Sequence, residues 1–133
     1  MVWTYSKSAL RLSHAGPTPW SCEGRWEPVP GSVDYPNGIP LGTFTLGAPE
    51  YNEPEEMFDG EQATRAFGPY FIPVNNVPGH EGIGIHGGGS ASPHPLAAHQ
   101  GWYPTENCIR LQNDDLYHVA LNVTAGDTLE VVA

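Results

Sequence analysis

The stretch "PTENCIRLQNDDLYHV" (104–119) holds one of only two cysteines in a chain of 133 residues. Pro, Thr and Asn make the approach a turn, and Cys108 then heads a short apolar run with Arg110 two residues on. Residues i and i+2 share one face of a strand, so Cys108 and Arg110 are expected to point the same way. A cysteine where a loop enters a strand exposes its sulfur while backbone N–H groups point alongside it, which suits a nucleophile. The same residue would also serve as a small buried apolar filler. The choice turns on whether a base is at hand.

Immediately downstream, "NDDLYHVALNV" (113–123) is the one convincing helical window. Asn113 reads as its N-cap, and Asp114 and Asp115 put negative charge at the positive end of the helix dipole. Leu116, Val119, Ala120 and Val123 recur at steps of 3 and 4, giving one apolar stripe, and Gly126 is read as the end of the element. Upstream the pattern is β. "VWTYSKSALRLS" reads as two short strands around a Ser-Lys-Ser turn, and "IPLGTFTLG" (39–47), "FGPYFIPV" (67–74), "GIGIHG" (82–87) and "DTLEVV" (127–132) each read as a strand. The acidic, patternless residues 48–68 read as a long exposed loop. The expectation is a mostly β, sandwich- or barrel-like domain with one packed helix, and a single domain over residues 1–133.

Composition narrows the function. Fifteen acidic against 5 basic residues give a formal net charge of −10. Such a surface repels phosphate backbones and anionic lipid heads, which disfavours nucleic acid and basic-patch membrane adhesion. No apolar run approaches the ~20 residues that span a bilayer, and "MVWTYSKSAL" has no basic-then-apolar signal pattern. Gly 16 and Pro 14 make up about a quarter of the chain, but Trp 4, Tyr 6 and Phe 4 supply rings for a core. A folded, loop-rich domain is expected. Two cysteines allow one disulfide at most, so Cys22 is either structural or the oxidised partner of Cys108.

His86 supplies the candidate base. It ends the "GIGIHGGG" run, where three glycines would let a ligand approach the backbone closely. An isolated strand-end histidine satisfies its own hydrogen bonds. Cys108 and His86, each at a strand–loop junction, make a stronger pair than either alone. Arg110 would favour the thiolate or bind a substrate carboxylate, or would merely pair with surface carboxylates. A competing reading joins His80, His94 and His99 to His86 and Cys108 as a zinc site, although "HEGIGIH" and "HPLAAH" match no tight ligand motif. His14 and His118 read as surface or helix-face residues.

Taken in order, "IPLGTFTLG", "FGPYFIPV", "GIGIHG" and "TENCIRLQNDDLYHVALNVTAGDTLEVV" resemble the L,D-transpeptidase catalytic domain of the YkuD type over roughly residues 39–133. That family has a "P-x-G-x-[FY]" strand, an "IHG" strand, then "S-H-G-C-I-R", a helix, and "V-x-x-G-T-x-V-x-V". The opening "WTYSKSALRLSHAG" and "SCEGRW" also resemble small L,D-transpeptidase effectors exported by type VI secretion. The resemblance implies a cofactor-free cysteine acyltransferase acting on tetrapeptide stems of peptidoglycan. It implies action in the periplasm or cell wall, delivery by a contact-dependent system, and a cognate immunity protein. Cys108 would be the nucleophile, His86 the base, and Gly87 would orient the imidazole through its carbonyl. The N–H groups of Asn107 and Cys108 would form the oxyanion hole, with Arg110 in the substrate-facing arginine position.

The chain departs from the family's "S-H-G-C", which is Thr105-Glu106-Asn107-Cys108 here. Asn for Gly is mild, because Asn tolerates a left-handed backbone. Glu106 would disfavour the thiolate if it pointed inward, which motivates an alternative: a non-catalytic peptidoglycan-binding or inhibitory module on the same fold. The insert "GGGSASPHPLAAHQGWYP" (87–104) is expected to form a lid or wall of the groove, with Thr105, Trp102 and Tyr103 facing substrate.

Overall fold

The computed structural model describes residues 1–28, 30–31, 36–105 and 107–133. The chain opens with β1 (Val2–Ser6), β2 (Arg11–His14) and β3 (Trp20–Arg25), a meander joined by tight turns. Burial alternates along β1, so Trp3 and Tyr5 enter the core while their neighbours do not. β4 (Gly42–Leu46) carries Phe44 and Leu46 inward in the same way. After β5 (Glu50–Tyr51) come the small β6 (Met57–Phe58) and β7 (Glu61–Gln62) hairpin and the short α1 (Ala63–Phe67). Then follow β8 (Tyr70–Asn75), β9 (Gly84–His86), β10 (Ile109–Leu111), α2 (Asn113–Asn122) and β11 (Thr128–Val132).

The strands run β4-β11-β1-β2-β3-β10-β9-β8, and β8 pairs back onto β4 to close a barrel, with β5 added outside β8. β1–β11 and β9–β10 are the parallel pairs. Closure removes the sheet edges that would otherwise template aggregation. Trp3, Tyr5, Leu12, Ile72, Ile85 and Leu129 fill the interior, and Leu116 and Val119 of α2 plug it from one side. The mostly β barrel is as expected, and the α2 stripe packs where its spacing placed it.

Three local readings need correction. Residues 48–68 are not a bare loop: they hold β5, the β6–β7 hairpin and a second helix, α1. Ala63, Thr64 and Ala66 bury one side of α1, a stripe too short for periodicity to reveal. Asn113 is the first residue of α2 and not its N-cap, which is Gln112 without a side-chain cap. Its amide instead accepts from the Gly88 N–H at 3.0 Å and donates to the carbonyls of Pro95 and Ala97 at 2.7 and 2.8 Å. α2 ends at Asn122, ahead of Gly126, which sits with φ 97 in the following turn.

β9 and β10 are buried on both faces. Inside, Ile85, Ile109 and Leu111 join the core, while Gly84, His86, Cys108 and Arg110 face outward under a second layer. That layer is α1, the hairpin and the crossover between the two parallel strands. The crossover is held without a helix. Gln100 donates to the Gly88 and Leu111 carbonyls at 3.2 and 2.8 Å and accepts from the Asn113 N–H at 2.8 Å. Among the described residues, no helix is long and apolar enough to cross a membrane.

Candidate active site

The register of β9 and β10 decides which side chains meet. Ile109 pairs with Ile85 and Arg110 with His86, so one step back Cys108 lies across from Gly84. Cys108 and His86 are thus diagonal neighbours on one face, with backbones about 8 Å apart given strand spacing and rise. Both line a cavity of about 410 Å³, together with Arg110, Asn107 and Thr105. That size lies within the ~300–1,000 Å³ of small-molecule sites.

His86 is 2 % exposed. Its Nδ1 lies 2.9 Å from the Gly87 carbonyl oxygen, which can only accept, so Nδ1 carries the proton and Nε2 is the bare nitrogen. Among the described residues Nε2 makes no hydrogen bond, and the ring lines the cavity. Phe71, paired across from His86, stacks on the ring at 5.9 Å, and Phe67 meets it edge-on at 5.0 Å. Gly84 is glycine because a Cβ there would run into the Phe71 ring. Burial, reinforced by the Arg110 guanidinium and opposed by the Gly87 hydrogen bond, lowers the imidazole pKa to about 3. The folded protein therefore holds His86 neutral.

That shift has a stability consequence. The unfolded chain binds a proton at this histidine below about pH 6.5, and the folded chain does not until about pH 3. Unfolded protein thus carries more bound protons across that window, and stability falls as pH drops from 6.5 towards 3. The slope is about 1.4 kcal/mol per pH unit, roughly 5 kcal/mol in all. Urea unfolding at pH 7, 6 and 5 is expected to show this slope in the wild type and lose it in His86→Gln. Equal slopes in the two proteins would contradict a neutral buried imidazole.

Cys108 is 5 % exposed, and its sulfur accepts from the Gly84 N–H at 3.4 Å and lies 3.7 Å from the Gly82 carbonyl. Arg110 is equally buried. Nη1 donates to the Tyr103 and Pro104 carbonyls at 2.6 and 2.7 Å, Nε to Gly87 at 3.3 Å and Nη2 to Ala66 at 3.4 Å. Burial lowers its pKa and the charge of Cys108 raises it, so the two side chains interact electrostatically. The guanidinium is mainly the clip that fastens the 103–104 segment and α1 to β10. Asn107 has φ 73, the left-handed conformation that glycine would adopt freely.

Other expected residues fall differently. Thr105 lines the cavity, whereas Trp102 and Tyr103 do not: Arg25 lies over the Trp102 ring at 4.6 Å, and the Tyr103 ring fills the space beside Gly89. The glycines after His86 serve close approach by the protein rather than by a ligand. The Gly87 and Gly89 N–H groups take the Phe67 and Arg65 carbonyls at 2.7 and 2.9 Å, which caps the end of α1. From the insert, Ser90 and Pro104 form part of the cavity wall. Glu106 lies outside the described residues.

The zinc set is not assembled, since no three His, Cys, Asp or Glu side chains come together among the described residues. Neither cysteine is in a disulfide. Arg110 pairs with Arg25 and Leu111 with Gly24, so Cys108 lies beyond the Arg25 end of this antiparallel ladder while Cys22 lies three residues the other way, with its side chain in the core. Three residues of strand are already about 10 Å, too far for an S–S bond. His14 and His118 meet through Nε2 atoms 3.3 Å apart, and Trp20 stacks on His118 at 4.0 Å. Sequence reasoning missed the Phe67–Phe71 frame of His86 and the hairpin that brings Phe58, Asp59 and Glu61 to the cavity. The Asp59-Gly60 dipeptide was the available signal, for both residues adopt positive φ (49 and 82) as a two-residue hairpin turn demands.

Comparison with known proteins agrees with this architecture. The structure is similar to Bd1075 of Bdellovibrio bacteriovorus (16 % identity, TM-score 0.64, 97 % of this chain and 46 % of that one). It is also similar to L,D-transpeptidase 1 of Mycobacterium tuberculosis (17 %, 0.58, 99 % and 60 %). A third similar structure is an L,D-transpeptidase from Stackebrandtia nassauensis (17 %, 0.63, 99 % and 55 %). The chain spans about half to three-fifths of the length of these proteins. No curated protein matches it in sequence. The model of the L,D-transpeptidase catalytic domain family (YkuD) matches residues 15–132, from just ahead of β3 to the end of β11, and the chain belongs to that family.

Proposed function

We propose that the protein is a cysteine-dependent acyltransferase acting on peptidoglycan stem peptides, an L,D-transpeptidase able also to hydrolyse or exchange the terminal D-residue. One observation carries the reading: a buried His86, with Nδ1 committed to the Gly87 carbonyl and Nε2 left bare, lines the same cavity as Cys108. Nε2 takes the proton from Sγ as sulfur attacks the carbonyl carbon at an L-to-D junction. Because burial disfavours a standing imidazolium, this transfer is coupled to attack, when negative charge develops beside the ring. The N–H groups of Asn107 and Cys108 receive the oxyanion. On collapse the C–N bond breaks, the D-residue's amine leaves with the proton from Nε2, and a thioester to Cys108 remains. An amine of a second stem, a free D-amino acid or water then attacks the thioester, and the thiol is restored.

Asp59, Glu61 and Glu81 also line the cavity, which suits a substrate carrying an ammonium group. Action in the periplasm or wall follows from such a substrate. Delivery into target cells, with an immunity protein guarding the producer, rests on the opening-segment resemblance alone. The reading is tested by intact-mass spectrometry after mixing the protein with tetrapeptide muropeptides or a carbapenem. A stoichiometric adduct mapped to Cys108 is expected, with shortened, exchanged or cross-linked stems among the products. Binding without any adduct would instead favour a non-catalytic wall-binding module.

A further inference from the structure

The residue before the candidate nucleophile is held in an uncommon shape by a histidine that the acyl-transfer chemistry does not use. Asn107 is 3 % exposed and has φ 73. Asn is one of the few residues with a side chain that visits the left-handed region, and a hydrogen bond to that side chain selects which backbone state it holds. The side chain of Asn107 is held by one: its Oδ1 lies 2.7 Å from Nδ1 of His80, which donates when the amide oxygen is the acceptor.

His80 is itself fixed. Its N–H donates to the Val77 carbonyl at 3.1 Å in a turn. The same short segment then reaches the sulfur twice, through the Gly82 carbonyl at 3.7 Å and the Gly84 N–H at 3.4 Å. Residues 80–84 therefore grip the side chain of Asn107 and the thiol of Cys108 together. The torsions of Asn107 aim the peptide N–H of Cys108, so a rotation there would move an oxyanion donor relative to the sulfur. A donor displaced by about 1 Å costs rate without unfolding anything.

We infer that His80 is a positioning residue: through Asn107 it fixes the backbone ahead of Cys108, so that sulfur and N–H donors converge on one carbonyl. This rests on the acyl-transfer reading. His80 is not among the residues that line the cavity, and it acts there through Asn107.

Two probes separate positioning from bulk structure: a carbapenem, whose acylation needs the oxyanion donors, and iodoacetamide, which needs only the sulfur. His80→Ala is expected to slow carbapenem acylation of Cys108 on the order of ten- to a hundredfold, with iodoacetamide alkylation changed by less than about threefold. His80→Asn, whose amide N–H sits near the place of Nδ1, is expected to recover most of the rate. In an Asn107→Gly background, His80→Ala is expected to have no further effect, because the residue it acts through is gone. The inference is overturned if His80→Ala acylates at the wild-type rate, or if it slows both backgrounds equally, or both probes equally. Wild-type protein that alkylates but never acylates would sink the acyl-transfer reading, and the inference with it.

Discussion

Cys108→Ala is expected to abolish acyl transfer outright, and His86→Gln to retain only about 10⁻² to 10⁻⁴ of the wild-type acylation rate. The asymmetry follows from what each side chain supplies. Without the sulfur no thioester forms. Without the imidazole the thiol persists, still accepting from the Gly84 N–H and coupled to the Arg110 charge, so a small thiolate fraction continues to react. Gln keeps a donor for the Gly87 carbonyl but cannot take up a proton. Time-resolved intact-mass spectrometry with a carbapenem reads both variants, and thermal unfolding shows that each is folded. If His86→Gln acylated as fast as wild type, the sulfur would be activated by another group and the pairing of Cys108 with His86 would fail. Rising pH should partly restore the His86→Gln rate, since hydroxide then generates the thiolate that the base no longer provides.

Much of this arrangement was legible because it depends on strand parity. Ile109 and Leu111 face the core, so Cys108 and Arg110 had to face the other way, as the i, i+2 spacing indicated. The α2 stripe of Leu116, Val119 and Ala120, continued by Val123 at the C-cap, was legible for a similar reason: ten helical residues are enough for a period of 3.6 to show. What escaped was everything fixed by long-range backbone contacts. The five residues of α1 are too few for periodicity, and their carbonyls are completed by glycines some twenty positions later. The glycine run was therefore read as room for a ligand when it is room for α1 and Asn113. His80 appeared only as a metal candidate, because its partner Asn107 lies 27 residues away. Trp102 and Tyr103, expected on the groove wall as part of the insert, lie away from the cavity, one covered by Arg25 and the other packed on Gly89.

Arg110 is the residue whose role changed most, and its removal carries the largest expected loss of stability. Sequence offered a thiolate partner, a substrate clamp or a surface ion pair. The fold surrounds the guanidinium with four backbone carbonyls, those of Tyr103, Pro104, Gly87 and Ala66. Only a planar fork of five donors satisfies acceptors spread in this way; an ammonium is a point donor on a flexible stem. Arg110→Met keeps the apolar length but takes this donor from the Tyr103, Pro104 and Ala66 carbonyls, while that of Gly87 keeps His86 Nδ1, and each buried acceptor left unpaired costs about 1–3 kcal/mol. Allowing for water reaching the outer two, the net loss is roughly 3–5 kcal/mol, a large share of the ~5–15 kcal/mol that holds a domain together. For a domain of this size that lowers Tm by about 10 °C or more, which calorimetry or urea unfolding would register. Arg110→Lys should fall between Met and wild type. The Gly87 carbonyl serves both Nε of Arg110 and Nδ1 of His86, so losing the guanidinium also loosens the imidazole's anchor. His86→Gln and Arg110→Met should therefore combine less than additively. A fully folded Arg110→Met within about 1 kcal/mol of wild type would show that water replaces the guanidinium at little cost, leaving attraction to the Cys108 thiolate as its main contribution.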